Sequence, residues 1–215
     1  MFSLHFFSFR WLTLFIVFVL LYATLIYINN EFIFTDAYYY SVLGSQLSED
    51  RINGILSIQH KFQWVGYAIQ PVLLLLKWFI LSGVIFTALF LLNQDVNYKE
   101  CIKIVALAEL IPITVAIIKI ICFLVHKPQT LEEVQTFYPL SLTQLINLKQ
   151  LPSCLIYPLQ QFNLFEVAYW ILITMGISTH IQKPFIKGLK ITAMSYGVAL
   201  SIWVLCVMFI QLQFN

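Results

Sequence analysis

Five long apolar stretches, separated by short polar ones, run through almost the whole chain. A bilayer's hydrocarbon core is about 30 Å thick, so a spanning helix needs about 20 mostly apolar residues. Stretches 11–28, 72–92, 101–125, 162–179 and 191–211 approach or meet that length. The first and last carry no charge, 72–92 carries only Lys77, and 101–125 carries Lys103, Glu109 and Lys119. Charged residues are 10% of the chain, against the roughly 25% of a soluble domain. The predicted fold is all-α: a polytopic integral membrane protein, one bundle of five transmembrane helices over residues 1–215. No remaining segment is long enough for a separate globular domain.

The net charge of +2, with no basic cluster, excludes a nucleic-acid partner. Cys101, Cys122, Cys154 and Cys206 lie far apart, without the paired spacing that holds a metal. The expectation is no metal and no cofactor. No small-x-small cleavage site follows the first stretch, which therefore reads as a retained helix rather than a secretory signal.

Basic residues near helix ends set orientation. Arg10, Lys99, Lys103, Lys183, Lys187 and Lys190 fall on one side; Arg51, Lys61, Lys127 and Lys149 fall on the other with the two long loops. This predicts a cytoplasmic N-terminus and an external C-terminus. In the first long loop, Ile55, Ile58, Phe62, Val65 and Ile69 recur at spacings of three and four, the stripe of an amphipathic helix. Pro71 is then expected to open a separate second span. In the second loop, Pro128, Pro139, Pro152 and Pro158 predict short pieces, one of them an interfacial or re-entrant helix.

Ionisable groups at membrane depth face the bundle interior, pair, or mark a functional path. Counted at about 1.5 Å per residue, Lys77 and Lys119 lie in the same leaflet, which Glu166 also enters. Glu166 is thus expected to pair with Lys77 or Lys119, the alternative being that each lysine snorkels to the headgroups. Glu109 lies about 12 Å into its helix, three residues before Pro112, without a basic partner at its own depth. The proline frees the Ala108 carbonyl, making a polar spot beside the carboxyl group. Such a carboxylate suits a proton-coupled carrier, a protonated structural contact, or a partner contact. Ala193, Gly197 and Ser201 form a small-residue ridge for helix packing, within the chain or with a second copy.

Support for catalysis is absent: there is no HExxH, no GxSxG and no P-loop. Glu132 and Glu133 are paired as in intramembrane CAAX-type proteases, but the arginine three residues beyond is missing. His5, His60, His126 and His180 fall at four separate helix ends or loops.

The stretch FNLFEVAYWILITMGIS, residues 162–178, resembles the Yip1-domain family, with Asn163, Phe165 and Gly176 at matching positions and the aromatic position shifted to Tyr169 and Trp170. The resemblance implies five spans, an amphipathic approach to the second, and a cytoplasmic N-terminus. Tyrosine-glycine and proline motifs of the Rab-linked eukaryotic members are missing, so a bacterial-type member of the inner membrane is implied. It transfers no catalytic residue. Two functions stay open: a non-enzymatic scaffold or accessory subunit that binds other membrane proteins or itself, and a small-solute or ion carrier built on Glu109.

Overall fold

The structure, a computed structural model, describes residues 10–44, 46–146 and 151–213. Among these residues every regular element is helical. Four helical segments, Trp11–Ile33, Glu49–Leu91, Tyr98–Val125 and Phe185–Gln213, are long and apolar enough to cross a membrane. Their length and composition fit a multi-pass helical membrane protein. The fifth expected span corresponds to α8 (Leu164–His180), whose 17 residues stop short of the about 20 of a full crossing.

Helix α1 (Trp11–Ile28) ends in a π-turn, Asn29–Ile33. After α2 (Asp36–Leu43) comes α3 (Glu49–Leu91), 43 residues without a break. The expected start of a new helix at Pro71 is therefore wrong. Pro71 lies inside α3, whose turns on either side bury Ile52, Leu56, Leu74 and Trp78. Proline removes one backbone bond and crowds one carbonyl, at a cost of about 3 kcal/mol. Packing on both sides outweighs that cost. At about 1.5 Å per residue α3 is about 64 Å long, twice the hydrocarbon thickness. Its first half carries Glu49, Asp50, Arg51, His60 and Lys61, its second half only Lys77.

The third apolar stretch divides into α4 (Tyr98–Ala108) and α5 (Leu110–Val125), joined at Glu109. Pro112 denies the Ala108 carbonyl its usual partner, and α4 ends at that residue. Half of this segment's apolar window is buried, against 6% of the first segment's, so α4 and α5 are the axis and α1 a peripheral stave. The core gathers Phe18, Trp78, Ile85, Ile104, Ile173 and Ile177. Trp78 takes the edges of Phe15 and Phe18, both with ring centroids 5.9 Å away.

The two long loops meet at one end of the bundle. Ile33 packs with Ile120 and Phe123, covered by Phe34, Val134 and Phe137. Helix α6 (Leu131–Thr136) is capped by Thr130, and Gln160 of α7 (Ser153–Gln161) donates to the carbonyls of Gln135 (2.9 Å) and Thr136 (3.1 Å). The opposite end gathers Glu100, which takes Lys103 at 2.9 Å and His180 at 3.5 Å.

The last segment runs as α9 (Phe185–Thr192), a π-turn at Ala193–Gly197, and α10 (Val198–Gln213). The π-turn corrects the expected small-residue ridge. One extra residue per turn rotates the register, so Ala193 and Ser201 are exposed and only Gly197 is buried. A Cβ at Gly197 would lie 2.6 Å from Trp170 Cη2, so its contact is with α8 of the same chain.

Candidate functional site

Alone among the Asp, Glu, Lys, Arg and His side chains of the described residues, Glu109 is buried, 1% exposed. The joint between α4 and α5 places it where α1 and α3 converge. Oε1 accepts from Tyr22 Oη at 2.8 Å. Oε2 accepts from Lys77 Nζ at 2.8 Å and Trp78 Nε1 at 3.2 Å. Both oxygens are thus engaged, by donors from two other helices. The side chain of Lys77 is 38% exposed, so the ammonium meets the carboxylate from the open side of the core.

This pairing replaces two expectations: that Glu109 has no basic partner, and that Lys77 pairs with Glu166 or snorkels. Counting from the tight turn between α3 and α4 explains the difference. Lys77 lies about 21 Å from Leu91 and Glu109 about 16 Å from Tyr98. A lysine stem spans the remaining offset. Depths measured from the ends of the apolar runs hid this match, because α4 begins at Tyr98, ahead of its run, and α3 ends at Leu91, inside its own.

Beyond Lys77 the polar core continues through aromatic rings. Its ammonium lies 5.8 Å from the centroid of Tyr169, whose ring stands 5.2 Å from that of Tyr196. Tyr196 Oη donates to Glu166 Oε1 at 2.7 Å, and Trp170 Nε1 donates to the same oxygen at 2.9 Å. The line Tyr22–Glu109–Lys77–Tyr169–Tyr196–Glu166 joins α1, the α4–α5 joint, α3, α8 and the last segment. Asn163 caps α8 by accepting from the Glu166 amide at 2.7 Å, which fixes that residue in the first turn.

Lys119 does neither of the things expected of it. Its ammonium donates to the Val134 carbonyl at 2.9 Å and lies 5.4 Å from the Phe123 ring centroid. A cation there meets the carbonyl-rich last turn of α6, the favourable end of that helix. The lysine pins the second long loop to α5.

The residues missed in the sequence are the donors: Tyr22, Trp78, Trp170 and Tyr196. A signal was present. Tyrosine and tryptophan favour the membrane interfaces, yet Tyr22, Tyr169 and Tyr196 stand inside apolar runs. Among the described residues no three His, Cys, Asp or Glu side chains come together as a metal site would require. The free cysteines stay apart, Cys101 and Cys154 buried and Cys206 exposed.

Compared with known proteins, the chain matches no family model, no curated protein and no solved structure.

Proposed function

We propose that this protein is a non-enzymatic membrane scaffold or accessory subunit, whose first half of α3 is the surface that other membrane proteins bind. The observation that carries the reading is the division of α3. Its buried face, Ile52 and Leu56, serves α2, while Ile58 (61% exposed), Phe62 (52%) and Trp64 (65%) are left uncovered. Large apolar patches rimmed by polar residues mark protein or membrane contacts. The carboxylate best placed for transport is meanwhile consumed in joining three helices.

In this reading α8 completes a fifth span, its shortness met by local thinning of the bilayer. The N-terminus is cytoplasmic and the C-terminus external, which places the first half of α3 outside the cytoplasm at the surface of a bacterial inner membrane. The likeness of residues 162–178 to Yip1-domain proteins supports the same non-enzymatic reading.

The test is a pull-down of the tagged full chain in mild detergent, with Ile58→Asp/Phe62→Asp beside the unaltered protein. A stoichiometric partner, lost with the double substitution, is the expected outcome. A lone protein overturns it. The carrier reading keeps one favourable observation, the 38% exposure of the Lys77 side chain against a buried Glu109. Proton flux in vesicles that Glu109→Gln abolishes would install it instead.

A further inference from the structure

Beside the open edge of Glu166 runs a groove of about 1110 Å³, walled by α7, α8, α9, α10 and residues 140–145. That exceeds the about 300–1,000 Å³ usual for small-molecule pockets. Its long wall is apolar: Val167 and Ile171 of α8, Leu189 of α9 and Leu205 of α10. Polar side chains collect where α8 begins, with Gln144, Gln161 and Glu166. Glu166 is the third residue of α8, about 3 Å from its start. With α8 taken as the fifth span proposed above, on which this inference rests, the polar end sits at headgroup level and the apolar wall at acyl-chain depth.

The charge at this end selects the headgroup. Tyr196 and Trp170 both donate to Oε1, and among the described residues no donor meets Oε2. No lysine or arginine among the described residues lines the groove. Lys77, the cation whose charge reaches Glu166, is already engaged by Glu109. A carboxylate with a spare oxygen and no cation lining its groove attracts an ammonium that carries N–H donors, and repels an anionic headgroup. A quaternary choline has no N–H to give. We infer that the groove holds one membrane phospholipid with an ethanolamine headgroup, its ammonium on Glu166 Oε2 and an acyl chain along Val167, Ile171 and Leu205.

The test uses the full chain, purified in detergent, stripped of lipid, and titrated with phosphatidylethanolamine, phosphatidylcholine or phosphatidylglycerol under native mass spectrometry. The unaltered protein should hold one phosphatidylethanolamine at least tenfold more tightly than either competitor. Val167→Trp, at a position 56% exposed and lining the groove, should fill the channel and abolish retention. Val17→Trp, on the outer face of α1 and 45% exposed, should leave it unchanged. Glu166→Gln should keep the chain in the groove but reduce the headgroup preference below threefold. No retained lipid, equal binding of the three lipids, retention that survives Val167→Trp, or equal loss in Val17→Trp would each overturn the assignment. A protein partner recovered on α3 bears on the scaffold reading alone, so the two can fail separately.

Discussion

Two side-chain contacts of nearly equal length, each ending on a carboxylate, hold two different parts of this molecule. Lys77 meets Glu109 at 2.8 Å in the bundle, with side chains 38% and 2% exposed. His60 meets Asp36 at 2.9 Å between α3 and α2, with side chains 59% and 56% exposed. Distance alone would rank them together. Burial separates them, because a carboxylate in the core has no water to fall back on, while an exposed one exchanges its partner for solvent at little cost. The bundle is therefore a region where polar contacts are obligatory. The head formed by α2 and the first half of α3 is one where they are optional, and its surface is left available for other contacts.

The comparison would break most visibly at Lys77. Lys77→Met keeps the stem and leaves the Glu109 carboxylate buried with neutral donors alone. Breaking a buried pair in this way costs about 3–5 kcal/mol, and the partial exposure of Lys77 places the expected loss near about 3 kcal/mol. Titration with a denaturing detergent reads it directly. Adding Glu109→Gln should restore most of the loss, since removing both charges leaves no orphan. A double variant as unstable as Lys77→Met would mean that the charge itself matters little.

Glycines carry the same contrast at a smaller scale. A Cβ at Gly188 would lie 2.0 Å from Ser178 Oγ and 2.9 Å from the Thr174 carbonyl, which is backbone and cannot swing aside. Gly188→Ala should therefore cost about 1–3 kcal/mol by overpacking the α8–α9 contact. In the head, Gly54 and Gly66 have nothing within 4 Å of such a Cβ. Gly66→Ala should stabilise α3 by up to about 1 kcal/mol, the difference in helix propensity. A thermal shift downward would show that something approaches α3 closely at Gly66.

The bundle and the head also differed in how legible they were. Helical class and membrane character follow from apolar run lengths alone, because the bilayer imposes them. The break at Glu109 was visible in Pro112, a local effect on one carbonyl. Partner choice was not visible. Lys77 selects Glu109 through the relative offset of α3 and α4, and that offset is tertiary. Pro71 misled because its local penalty was read without the packing on both sides that overrides it. At Ala193, Gly197 and Ser201 a π-turn shifts the register by a residue, so within the chain only Gly197 is packed. The stripe Ile55, Ile58, Phe62 faces outward, and Ile52 and Leu56 pack inward instead.

The smallest effect is expected at His60. Its pair with Asp36 is exposed, and α2 is held independently by Tyr38, buried between helices, by the Tyr40–Asn53 hydrogen bond, and by Thr35, which caps the helix by accepting from the Tyr38 amide at 3.3 Å. Exposed pairs contribute about 0.2–1 kcal/mol, and salt screens them further. His60→Ala should therefore change stability by about 0.5 kcal/mol or less, and raising the ionic strength should erase the difference. His60 also lies on the polar flank of the exposed stripe, two residues from Ile58 and Phe62. If His60→Ala leaves stability intact but weakens recovery of a partner, the head is held by its apolar contacts and reads its partner through the polar rim. Should stability fall by several kcal/mol instead, the pair would be as obligatory as Lys77–Glu109, and burial would not be what distinguishes the two regions.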